Sequence, residues 1–127
     1  MNQDILNFIL PAGLTEHFII TRVEEKDDKK EGGMLIEIEL EEKNEIPSGY
    51  DSNQYESKGF FPVKVIQDFP LRGKALYLHI KRRRWRHKVN KNEEICSDYS
   101  QFAKGTKLTQ ELSDFLKGTG RDPSRYA

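Results

Sequence analysis

The stretch LYLHIKRRRWRHK (76–88) sets Lys81, Arg82, Arg83, Arg84 and Arg86 around Trp85, the only tryptophan of a 127-residue chain. Guanidinium is planar, permanently charged and suited to paired hydrogen bonds with phosphate oxygens. The chemistry such a run offers is recognition of a polyanion, with the indole available to stack on a guanidinium or a base. His87, Lys88 and Lys91 continue the run, and Lys104 and Lys107 follow further on. These residues are the candidate nucleic-acid contacts: the cations for phosphates, Trp85 to orient the segment that carries them.

The strand holding the run creates a difficulty. Leu76, Leu78 and Ile80 alternate with Tyr77, His79 and Lys81, the period of a half-buried β-strand. Alternation then sends Arg82, Arg84 and Arg86 to the side of the apolar residues, and an unpaired arginine there would be prohibitively costly. The pattern predicts that the strand leaves the core near residue 81, twists through a bulge, or projects as a basic β-arm. A competing reading is internal neutralisation by Glu37, Glu39 and Glu41, if their strand lies beside the basic one.

Charge along the chain sharpens the choice. The formal net charge is zero, yet residues 16–56 hold thirteen Asp/Glu against five Lys/Arg, and residues 58–91 hold eleven Lys/Arg against Asp68 alone. The average hides an acidic half followed by a basic one.

The elements that must position these residues follow from periodicity and turn chemistry. Ile5, Leu6, Ile9 and Leu10 mark one face of a short N-terminal helix, stopped by Pro11 and Gly13. HFIITRVEE (17–25) and MLIEIELEE (34–42) read as strands of an antiparallel hairpin joined by a charged turn ending in two glycines. Residues 43–59 have no sustained period and read as a long loop. FFPVKVIQDF (60–69) is a third strand whose Pro62 favours an edge or a strand start. The 76–88 strand follows the turn PLRGK, and 93–103 returns as a possible fifth after the loop HKVNKN. Thr106 is the expected N-cap of a last helix, with Leu108, Leu112, Phe115 and Leu116 on one face and Gly118 beyond its end. The fold class is therefore α+β: an antiparallel sheet of four to five strands with a short N-terminal helix and a C-terminal helix. Residues 1–117 form one domain and 118–127 a tail.

Several function classes fall away. Cys96 is the only cysteine, which leaves no disulfide and no multi-cysteine zinc site. His87 and Cys96 lack the C-x-x-C or H-x-x-H partners that a metal site needs. There is no G-x-S-x-G elbow, no P-loop and no dinucleotide fingerprint, so neither catalysis by this chain nor a cofactor is expected. No apolar run is long enough to span a bilayer, and MNQDILNFIL lacks the basic region of a signal peptide. A cytoplasmic protein without membrane contact is the expectation.

IQDFPLRGKALYLHIKRRRWRH (66–87), followed by FAKGTKLTQELSDFL (102–116), resembles the N-terminal region of bacterial insertion-sequence transposases. Asp68, Pro70, Gly73 and Lys74 match the turn of that group, Arg82 to Arg86 its basic strand, and Leu108, Thr109 and Leu112 the start of its helix. ESKGFF (56–61) resembles the subgroup in which this region is encoded apart from its DDE catalytic domain. The cysteine pairs that hold zinc in the larger group are missing, so zinc is not carried over. The resemblance implies the part of a transposase that recognises DNA ends, partnered by DNA and a separately encoded DDE chain, with a homo-oligomer possible. The rival expectation is a protein-interaction module using the FFPVKV edge and the ILNFIL face to dock a catalytic subunit or a second copy. A degenerate remnant without present activity is a third reading.

Overall fold

The computed structural model describes Leu10, residues 13–99 and residues 109–117. Among them the chain forms α1 (Leu14–His17), β1 (Phe18–Asp27), β2 (Met34–Glu42), β3 (Tyr55–Phe60), β4 (Lys64–Leu71), β5 (Lys74–Lys81), β6 (Arg83–His87), β7 (Glu94–Ile95) and α2 (Gln110–Lys117). The class is α+β, with two sheets in place of one. The larger has the order β1-β2-β5-β4 and the smaller β3-β6-β7.

β1 and β2 form the expected hairpin. The Asp28 carboxylate accepts the N–H groups of Lys30 and Glu31, both at 3.1 Å, and Gly32 and Gly33 supply the left-handed backbone that reverses the chain. The sheet is mixed because β5 enters between β2 and β4, antiparallel to β4 but parallel to β2. With neighbours on both sides, its inward row of Leu76, Leu78 and Ile80 is buried with Ile36, Ile38 and Leu40 of β2 and Ile66 of β4. Leu10, Leu14, Phe18, Tyr99, Leu112 and Leu116 complete that core. Thr109 begins α2, its hydroxyl accepting the N–H of Leu112 at 3.3 Å. The cap expected at Thr106, the helix at residues 5–9, the strand continuation past 99 and the 118–127 tail lie outside the described residues.

The opposite face of the larger sheet is polar. Arg22, Glu39 and His79 lie across it in register, as do Glu24, Glu37 and Tyr77. Arg22 is ion-paired to Glu24, Glu37 and Glu39. Burial pushes the Glu37 carboxyl up, but Arg22 and Lys26 outweigh it and hold the group below its ordinary range. Hydrogen bonding to Arg22 likewise depresses Glu39. Much of the acidic strand is thus neutralised by its own hairpin.

Two sequence expectations change here. The loop expected over 43–59 contains β3, which pairs antiparallel with β6 through a bulge between Ser57 and Gly59. The single strand expected over 76–88 is two: β5 ends at Lys81, β6 starts at Arg83, and the chain changes sheets at Arg82.

Candidate nucleic-acid interface

The change of sheet is built around a buried ionic cluster. In register Leu40 pairs with Ile80, and one core step further each strand carries a charge, Glu42 and Arg82. Both are buried, Arg82 completely. The Arg82 Nε stands 3.9 Å from Glu42 Oε1, and Nη2 donates to the Ser97 carbonyl. Its guanidinium lies 5.0 Å from the centre of the Tyr99 ring and 5.9 Å from that of Phe115. Glu42 also accepts the Arg83 N–H at 2.8 Å and the Tyr99 hydroxyl. Burial, reinforced by the adjacent Glu42 charge, pushes the Tyr99 phenol up, so it stays a donor. Arg82 is therefore withdrawn as a DNA contact: it is a structural cation whose desolvation is offset by a carboxylate, a carbonyl and two aromatic rings.

Its neighbours are committed in other ways. Lys81 lies 3.6 Å from Glu41. Arg83 donates to the Glu42 carbonyl at 3.2 Å and to the Ser57 hydroxyl at 2.7 Å, with its guanidinium 4.4 Å from the Phe60 ring centre. Arg84 covers Phe61 and sits 3.3 Å from Glu94. Trp85 is fully buried, and its indole N–H donates to Asn44 Oδ1 at 2.8 Å. Trp85 therefore meets neither solvent nor a nucleobase and serves as the centre of the smaller sheet. The basic strand does not project as an arm, since β6 is the middle strand of that sheet, between β3 and β7.

The run becomes accessible at its far end. Between β6 and β7 the segment Lys88 to Glu93 is exposed throughout, and Val89 at its tip is 86% exposed. The tip is held in shape from below. His87 Nδ1 accepts the N–H groups of Val89 and Asn90 at 3.1 and 3.0 Å. The His87 N–H reaches the Glu93 carbonyl at 2.9 Å, and the Lys88 N–H reaches Gln54 at 2.8 Å. Tyr55 packs edge-on against the His87 ring, 5.3 Å between centres, and donates its hydroxyl to Glu93. That bond to the carboxylate pushes the Tyr55 phenol up to about 12. Arg86 and Lys91 converge on Glu56 at 2.8 and 2.9 Å. Lys91, then Arg86, hold that carboxyl below its usual range.

Of the expected contacts, the structure thus brings Arg86, His87, Lys88 and Lys91 together at one tip. It leaves Lys81 and Arg84 half-buried in ion pairs, holds Arg83 half-buried on a carbonyl, a hydroxyl and a ring, and encloses Arg82 and Trp85. Lys104 and Lys107 lie outside the described residues. Asn90 and Asn92, exposed on the same tip, were missed; the turn-forming composition of HKVNKN between two strands was their signal. Among the described residues, no group of three or more His, Cys, Asp or Glu could hold a metal ion. No helix among them is long and apolar enough to cross a membrane. Comparison with protein-family models, with curated proteins and with solved structures finds no match.

Proposed function

We propose that this chain is the DNA-recognising N-terminal part of an insertion-sequence transposase, acting in the cytoplasm, performing no catalysis itself and serving a separately encoded DDE chain. The observation that carries the proposal is the braced β6–β7 tip, which exposes Lys88, Val89, Asn90, Lys91 and Asn92 together. A two-stranded β-ribbon fits the major groove. Lys88 and Lys91 are placed for phosphate contact, Asn90 and Asn92 carry the amide groups that read adenine, and Val89 offers an apolar contact for a thymine methyl.

The resemblance supports the same reading in a changed form. Of its turn residues, Pro70, Gly73 and Lys74 lie at the β4–β5 reversal, where Arg72 and Gly73 have φ of 50° and 79°, and Asp68 lies buried within β4. Its arginine–tryptophan run supplies the passage between sheets and the centre of the second sheet. In this reading the motif builds the platform, and the residues just after it meet the DNA.

The test is a fluorescence-anisotropy titration of the full chain against a short mixed-sequence DNA duplex at several salt concentrations. The logarithm of affinity is expected to fall linearly with the logarithm of salt, with a slope of about −0.9 per phosphate contact. K88E/K91E is expected to weaken binding by about tenfold or more, with only a small fall in melting temperature from the lost surface pair of Lys91 with Glu56. Affinity indifferent to salt and to both substitutions overturns the proposal.

The rival reading, a protein-interaction module, is favoured by one observation: β4 lies at an edge of the larger sheet with Val65 and Phe69 exposed. A chain that binds a catalytic transposase subunit, loses it when this edge is altered and ignores DNA would support that reading over the first.

A further inference from the structure

Among the described residues β4 is paired on one side only, with β5. Such an edge is a template for another strand unless something blunts it. Val65 and Phe69 on it, and Val63 just before it, are each 45–49% exposed. Asp68 is its anomaly. The side chain points to the core face, is 6% exposed, and its Oδ1 is buried without a hydrogen-bond partner. Burial raises its affinity for a proton. Four residues earlier on the same face stands Lys64, exposed and in no ion pair among the described residues.

These features complement one another under a two-fold axis. We infer that two copies of this chain associate edge to edge through β4, antiparallel and centred on Ile66, so that Lys64 of each copy pairs with Asp68 of the other. In that register Val63 of one copy faces Phe69 of the second, and Val65 faces Gln67. Side chains directly opposite across an antiparallel pair have Cβ atoms about 4.5–5.5 Å apart, within easy reach for a lysine seeking a carboxylate. The unpartnered oxygen thereby gains a cation that the described residues of its own chain do not provide. Pro62 and Pro70 would face each other at both ends of this register and close the ladder there, because neither has an N–H to donate. A shift of two residues either way would set Lys64 against an uncharged residue. The interface is isologous and joins two four-stranded sheets into one of eight strands. It uses no residue of the β6–β7 tip, so its failure would leave the DNA reading where it stands, and the reverse.

The test joins an oligomer measurement to a register measurement on the full chain. Sedimentation velocity across a micromolar range is expected to show a reversible dimer. Lys64→Glu, at an exposed position, should weaken it by at least about tenfold, since it sets two like-charged pairs across the axis. For register, V65C and Q67C proteins, both altered at exposed sites in a Cys96→Ser background, are mixed under mild oxidation. The mixture should form an inter-chain disulfide in clear excess over either protein alone. A wild-type chain that stays monomeric throughout overturns the inference and leaves the edge for a different protein. A dimer insensitive to Lys64→Glu, or cross-linking as well in the separate proteins as in the mixture, overturns it too.

Discussion

Arg82 and the β6–β7 tip lie within ten residues of one another on one continuous basic run, and their fates are opposite. Arg82 is wholly enclosed and bound to a glutamate, a carbonyl and two rings. Lys88 and Lys91 stand in solvent on a braced turn. The residue class is the same; what differs is the step of the sheet on which each falls. A run of arginines is thus no measure of a binding surface until the strand is placed. Here Arg82, Arg83 and Arg84 are committed inside the fold, while Lys88 stands exposed and Lys91, paired with Glu56, stays at the surface.

The largest effect expected from breaking this contrast lies on the enclosed side. Arg82→Met should destabilise the fold by about 3–5 kcal/mol, because it breaks a buried ion pair by removing one partner. The double variant Arg82→Met/Glu42→Leu should lie much nearer wild type, and chemical denaturation of the three proteins measures the coupling. If the single variant costs no more than a surface substitution, the ionic cluster is not what joins the sheets. Trp85→Ala removes the centre of the smaller sheet and should cost about 3–5 kcal/mol by the same measurement. On the exposed side, Lys88→Ala and Lys91→Ala should each alter stability by less than about 0.5 kcal/mol. Their expected effect is on affinity for DNA and on its salt slope.

Two smaller effects separate carboxylates by their surroundings. Glu37, Glu39 and Glu56 are depressed by their cations, so what they contribute is present above the ordinary carboxylate range and lost as pH falls through their lowered folded values. Thermal melts between neutral and acid pH should record that loss, and Glu56→Gln should remove part of it. Asp68 has the opposite sign. Its folded value is raised by burial, so its ionisation opposes folding as pH rises past the unfolded value. In dilute protein at neutral pH, Asp68→Asn should therefore raise the melting temperature, whereas the glutamate variants should not.

Local patterns were legible in the sequence. The alternation of MLIEIEL and LYLHI fixed which residues face the core, the paired glycines marked the first reversal, and Leu112 and Leu116 identified the buried face of α2. What was not legible depended on contacts distant along the chain. β3 reads as loop because YESKGF does not alternate, and it becomes a strand by pairing with the arginine run. The parallel pairing of β2 with β5 joins segments some forty residues apart and leaves no local mark. The enclosed ion pair did leave one: Glu42 and Arg82 each extend their strand's apolar row by one step. Read together they predict a buried pair; read singly, each is merely a charge at a strand end. The tip was under-read for the opposite reason, since its exposure follows from β6 ending at His87.

The placement of β5 between two strands that precede it in the chain has a consequence for biogenesis. On a ribosome, the first hairpin emerges with Ile36, Ile38 and Leu40 lacking their neighbour until the segment ending at Lys81 is also free. Assembly of the larger sheet must wait for that insertion, which makes it a late, entropically expensive step. Throughout that interval the inward row of β2 has no β5 to cover its flank.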